Sequence, residues 1–140
     1  MASFGAEVTA LSERYQRRMR ALARTAAQET VSIAQRIEDE GGRMRVKTGF
    51  LRASIAASTG SMPSGVSVNP DPNAESEIFQ YEGTTISAAL LKWQPWDTLY
   101  VGWVANYARP REARDGFLRG AVEQWDQTVK IHTARIRQRI

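Results

Sequence analysis

The stretch from Thr98 to Trp125, TLYVGWVANYARPREARDGFLRGAVEQW, most constrains what this chain can become. Leu99-Tyr100-Val101-Gly102-Trp103-Val104 alternates in a way that suits a half-buried strand. An arginine-rich polar turn with Pro110 in its middle follows. Asp115-Gly116 then opens an amphipathic run, Phe117-Leu118-Arg119-Gly120-Ala121-Val122-Glu123-Gln124-Trp125. A strand therefore feeds a loop, which feeds a helix. No catalytic group is needed to explain any part of it.

A chain of 140 residues is the usual size of one domain, and an apolar fraction of 42% supplies one core without reserve. The absence of cysteine excludes disulfides and thiolate metal sites. No apolar run approaches the roughly 20 residues that span a bilayer. Met1-Ala2-Ser3-Phe4-Gly5-Ala6-Glu7 lacks the basic-then-apolar order of a signal peptide. The expectation is a soluble intracellular product with no membrane partner.

The net charge of +4 is unevenly placed. Residues 1–40 carry six arginines and six acids and balance to zero. Residues 41–60 hold Arg43, Arg45, Lys47 and Arg52 with no acid, a net +4. Residues 61–105 hold five acids against Lys92, a net −4, and residues 106–140 hold eight bases against four acids, a net +4. A basic excess can mean nucleic acid. Alternating sign along the chain favours complementary surfaces between copies of one protein.

From about Ala6 to Glu40, Val8, Leu11, Tyr15, Met19, Leu22, Ala26, Ile33 and Ile37 recur at helical steps without a proline. Gly41-Gly42 is the expected stop. Such a helix is roughly 50 Å long, whereas a compact chain of this size has a radius of gyration of about 14 Å. It overhangs its own domain, bends or packs on a neighbouring copy, or it simply lies along its own sheet, the reading that the usual burial of a helix stripe within its own domain favours. Arg43 to Lys47 reads as basic and extended, and Thr48-Gly49 as a turn or helix start. Phe50 to Ile55 admits a short helix or a first strand. The four bases of this stretch admit a phosphate site or a solvated face, but no glycine-rich cradle or stacking aromatics accompany them.

Gly65-Val66-Ser67-Val68 alternates like a hairpin strand, and Asn69-Pro70-Asp71-Pro72-Asn73 is a turn. Ile78-Phe79-Gln80-Tyr81 and Leu90-Leu91-Lys92-Trp93 read either as strands or as parts of a mobile loop. Of Trp93, Trp96, Trp103 and Trp125, at least two are expected in the sheet–helix core. Trp93 or Trp96 is otherwise an interface anchor. Gly116 to Ile140 reads as a second helix along Leu118, Val122, Trp125, Val129, His132, Ile136 and Ile140. Asp115 is its candidate N-cap, and Arg135, Arg137 and Arg139 compensate the dipole at its end.

His132 is the single histidine, and no cysteine or paired carboxylate lies at a fixed local spacing from it. Asp71, Glu75, Glu77 and Glu82 cluster without the order of a calcium loop. There is no phosphate loop, dinucleotide fingerprint or nucleophile elbow. Neither enzymatic activity nor a cofactor is expected. The predicted fold is α+β: a single domain over residues 1–140, in which a long N-terminal helix (6–40) and a C-terminal helix (116–140) pack on a small antiparallel sheet within a strand and loop region (43–104).

The order of elements carries a resemblance. The long helix is followed by Lys47-Thr48-Gly49-Phe50-Leu51-Arg52-Ala53-Ser54-Ile55, then by Tyr100-Val101-Gly102 and Asn106-Tyr107-Ala108, then by Phe117-Leu118-Arg119-Gly120-Ala121-Val122-Glu123. This succession resembles the tail-component family of long-tailed bacteriophages and prophages, which act in head–tail joining or tail completion. The family carries a Thr-Gly-x-Leu-x-x-Ser-Ile element, a Val-Gly strand with Tyr-Ala after it, and a Phe-Leu-Arg-x-Ala helix start in this order. Where the family has a Glu-x-Gly-type stretch after Tyr-Ala, this chain has Arg109-Pro110-Arg111-Glu112-Ala113-Arg114-Asp115.

The resemblance implies a virion protein, assembled in the bacterial cytoplasm, whose copies form a ring around the DNA channel. Its neighbours would be head-connector and tail-tube or terminator proteins, with passing contact to DNA. A tail-terminator ring is the alternative within that junction, and a small basic nucleic-acid-binding module is the alternative of another class. The residues themselves nominate as contacts the bases Arg43, Arg45, Lys47, Arg109, Arg111 and Arg114, the acids Asp71, Glu75 and Glu77, and the aromatics Trp93 and Trp96.

Overall fold

A computed structural model describes residues 3–94 and 96–138. Arg139 and Ile140, expected at the end of the last helix, lie outside the described residues. The fold is α+β, as predicted. Helix α1 spans Phe4–Ala34, and a short 3₁₀ turn covers Glu38–Glu40. Helix α2 (Phe50–Ala53) leads directly into β1 (Ile55–Ser58). Helix α3 (Thr84–Lys92) precedes β2 (Tyr100–Trp103), and α4 (Ala108–Asp115), α5 (Phe117–Glu123) and α6 (Trp125–Gln138) complete the described chain.

Ser3 starts α1 by accepting the Ala6 N–H on its hydroxyl at 3.1 Å. The helix ends at Gln35, short of the glycine pair that was expected to stop it. The reason is tertiary. Gln35 is buried, and its carbonyl accepts from Arg52 Nε at 3.0 Å. Its side-chain amide donates to the Arg52 carbonyl at 2.9 Å and accepts from Trp103 Nε1 at 2.9 Å. The chain then turns back, and the Glu38 N–H donates to the Met44 carbonyl at 3.1 Å. The glycine pair serves that return: a Cβ on Gly42 would run into the Arg36 carbonyl.

The sheet has two antiparallel strands, with Ile55 opposite Trp103 and Ser58 opposite Tyr100. All four residues of β2 are half-buried, so the expected alternation of inside and outside is absent. One apolar cluster joins Ala27 and Val31 of α1 to Ile55 of β1 and to Ile86 and Leu90 of α3. A second joins Met44, Leu51, Ala105 and Phe117. Trp103 packs against both, and meets Phe117 edge-on with ring centroids 5.0 Å apart.

Several local readings change. Residues 65–68 form no strand, because only Ser67 pairs, bridging to Ala105. Residues 78–81 are irregular, held by the Ile78 and Phe79 N–H groups on the Thr48 carbonyl, each at 3.0 Å. Leu90, Leu91 and Lys92 belong to helix α3, whose buried residues Ile86 and Leu90 are a helical step of four apart. The single C-terminal helix is two. Gln124 Nε2 donates to the Gly120 carbonyl at 3.1 Å, competing for the acceptor of the helical ladder, and the Gln124 N–H turns to Ala121 at 3.2 Å.

If Trp103 joins the two clusters, Trp103→Ala should lower unfolding free energy by about 3–5 kcal/mol. Trp103→Phe keeps most of the ring but leaves the Gln35 oxygen without its donor, a cost of about 1–3 kcal/mol. Denaturant midpoints of the two variants measure both effects, and equal losses would refute the separate role of the indole N–H.

Candidate assembly surfaces

The segment 106–115 is not the loop that the sequence predicts. It is mostly helix α4, and Pro110 does not break it because the ring sits in the first turn, where an N–H has no partner within the helix. The helix turns its polar side chains to separate tasks. Arg111 clasps Asp115 one turn on, with Nη2 to Oδ2 at 2.7 Å and Nε to Oδ2 at 3.1 Å. The Asp115 side chain is only 4% exposed, and Arg45 Nε approaches its other oxygen at 3.8 Å. Arg45 in turn donates to Glu38 at 3.0 Å. Asp115 is therefore not the N-cap of the next helix. Glu112 takes that role, accepting the Leu118 N–H at 2.8 Å and the Arg119 N–H at 2.9 Å, an anion at a helix N-terminus.

Of the three arginines nominated here, Arg111 is thus committed inside the chain, while Arg109 and Arg114 are exposed. The bases of 43–52 also disperse. Arg43 extends over α5, where a Cβ on Gly120 would lie 2.9 Å from its Nη1. Arg52 holds Gln35 and stands 5.3 Å from the centre of the Tyr81 ring. Lys47 is exposed. A cleft of about 490 Å³ is lined in part by Arg45, Lys47, Arg52 and Arg111, but three of these four already hold partners.

Thr48 organises the floor of that cleft. Its hydroxyl accepts from Asn69 Nδ2 at 3.1 Å and from the Phe50 N–H at 3.3 Å. Gly49 beside it has φ 84°, and a Cβ there would strike the Phe79 carbonyl, so the helix start of the motif is also the anchor of residues 78–79. Burial raises the Tyr107 hydroxyl above the ordinary tyrosine range, opposed in part by the Leu51 backbone, the Thr48 hydroxyl and Arg111.

The acids Asp71, Glu75 and Glu77 are exposed, and so is Glu82. Among the described residues none of the four forms an ion pair. Trp93 is half-buried against the first cluster and donates its indole N–H to the Asp97 carbonyl at 3.0 Å. Trp96 is 69% exposed. His132 is buried between α6 and α1, in a cleft shared with Glu29 and Ile33.

A surface that the sequence left among four alternatives, with packing along the helix's own sheet the favoured one, lies on α1. Its C-terminal part is covered by α3, α5 and α6, and buries Ala26, Ala27, Val31 and Ala34. The apolar stripe read from the sequence continues the other way, along about four further turns. There Phe4 is 82% exposed, Leu11 and Tyr15 63% each, and Val8 and Met19 are exposed as well. The helix overhangs its domain with its apolar face bare. Comparison with protein-family models, with curated proteins and with solved structures finds no match to this chain.

The division of labour among the arginines is measurable. Arg111→Ala leaves the buried Asp115 carboxylate with one distant cation and should cost about 1–3 kcal/mol. Arg109→Ala and Arg114→Ala should stay within about 0.5 kcal/mol of the native chain. Thermal unfolding of the three variants checks this.

For Tyr107, a raised value in the fold means that its contribution is complete below the unfolded value of about 10 and is lost as pH rises through the folded value. Tyr107→Phe should therefore fall off less steeply in stability above about pH 10 than the native chain does. Parallel alkaline unfolding curves for the two proteins would contradict this.

Proposed function

We propose that this chain is a non-enzymatic structural protein of a phage head–tail junction, a tail-completion or neck component whose copies assemble into a ring around the DNA channel. The observation that carries the reading is the bare apolar face of the overhanging α1, which a chain acting alone would leave in water. The three stretches behind the resemblance add support, because they meet in space. Leu51, Ala105 and Phe117 share one buried cluster, and Phe50, Tyr107, Ala108 and Leu118 pack around it. Assembly in the bacterial cytoplasm, incorporation into the virion, and contact with head-connector and tail-tube or terminator neighbours belong to the same proposal.

The test is genetic and compositional. In the phage or prophage that carries the chain, its deletion should leave filled heads and free tails that do not join. The chain should also be found by mass spectrometry in purified intact particles. Normal infectious particles formed without it would overturn the reading. Tight binding of purified chain to DNA that survives physiological salt would favour a basic nucleic-acid module instead.

A further inference from the structure

We infer that the overhanging part of α1 is an arm that docks, head to tail, onto the acidic face formed by residues 66–78 of a second copy; the inference rests on the assembly reading above and names the surfaces that make it. The arm presents Phe4, Val8, Leu11, Tyr15 and Met19 along one side of the helix, all exposed. From Phe4 to Arg20 it carries Arg14, Arg17, Arg18 and Arg20 against Glu7 and Glu13, a net +2. Arg14 and Arg18 flank the apolar stripe, since Arg14 lies three residues after Leu11 and Arg18 three residues after Tyr15.

The acceptor has the opposite charge and the same apolar character. Asp71, Glu75, Glu77 and Glu82 stand without an ion pair among the described residues, and no Lys or Arg occurs between Ser61 and Leu91. Val66 is 74% exposed, Val68 69% and Ile78 47%. These residues form one surface because Asn69 and Ile78 are both tied to Thr48, through its hydroxyl and its carbonyl.

One copy cannot join its own two surfaces. The acceptor sits by the C-terminal end of α1, where Gln35 holds Arg52 and Arg52 lies against Tyr81. The arm begins at the far end of one continuous helix, Phe4–Ala34, and Met19 is about 24 Å of helix away from Gln35. Two different patches at opposite ends of one rod make a heterologous contact, which closes into a ring or runs on as a filament. Charge of opposite sign sets the register and speeds encounter, while the apolar stripe supplies the area removed from water.

The experiment uses full-length chain and two variants. An arm variant carries Leu11→Asp and Tyr15→Asp, and an acceptor variant carries Glu75→Arg and Glu77→Arg. All four positions are exposed, so unchanged thermal unfolding should confirm that both fold. If the arm variant fails to fold, Arg14→Glu with Arg18→Glu replaces it. Light scattering should show native chain as an oligomer and each variant alone about a hundredfold weaker in association, the loss of two contacts of about tenfold each.

An equimolar mixture of the two variants should form a one-to-one heterodimer and stop there, since only one intact contact remains per pair. A native chain that is monomeric at every concentration overturns the docking, and so does an arm variant that assembles normally. Loss of assembly in the arm variant with none in the acceptor variant also overturns it, by showing that arms pair with arms. The deletion test of the junction reading uses whole particles, so infectious particles without the chain would end that reading independently of how the variants assemble.

Discussion

The structure depends on the side chain of Gln35. A primary amide offers both a donor and an acceptor, and here both are used below the surface, on the Arg52 carbonyl and on the Trp103 indole. The Gln35 backbone carbonyl adds a third bond from Arg52. The end of α1, the short helix before β1 and the last residue of β2 therefore meet at one residue. A buried amide left half-satisfied costs more than a missing contact, so this junction admits one arrangement of helix against sheet. Trp103 extends the arrangement on its other side by packing into both apolar clusters.

The direction of α1 follows from that junction, and with it the separation of charge. Near Gln35 the arginines are spent internally: Arg52 on the helix end, Arg45 on Glu38, Arg111 on Asp115. Their guanidinium forks hold carbonyls and carboxylates that would otherwise stand unpaired, so they specify geometry more than surface potential. Apart from the exposed Lys47, Arg109 and Arg114, what remains uncompensated is basic and apolar on the overhanging helix and acidic and apolar on the 66–78 face. A rod with unlike ends is suited to repeated head-to-tail contact, which is the property that the proposed ring requires.

Local chemistry was readable where one feature dominated. The helical period from Val8 to Ile33 predicts α1, and Thr48-Gly49 predicts a turn or a helix start, of which the left-handed Gly49 makes the second. The Tyr100–Trp103 strand is where the alternation places it. Local chemistry misled where a nearby group changed the rule. Pro110 reads as a loop marker, yet a proline in the first helical turn removes a donor that had no partner to lose. Asp115-Gly116 reads as a cap, but Arg111 claims the carboxylate and Glu112 supplies the capping oxygens from within the preceding helix. Both signals were present in the sequence as four-residue and six-residue spacings, and only a helix through 108–115 gives them meaning.

The sequence by itself determined the helix and strand periods, the α+β class, and the uneven placement of charge, because these depend on neighbours a few residues apart. It also determined the length of α1, since rise per residue is a property of the backbone, but not whether that length lies on the domain or beyond it. Only the tertiary structure decided which arginines are spent inside and which face of α1 is left bare. It also decided that the arm and the acidic face lie at opposite ends. Those outcomes depend on pairings such as Gln35 with Trp103, 68 residues apart in the chain. No local pattern specifies such a pairing, because its energy is gained only when both partners are buried together.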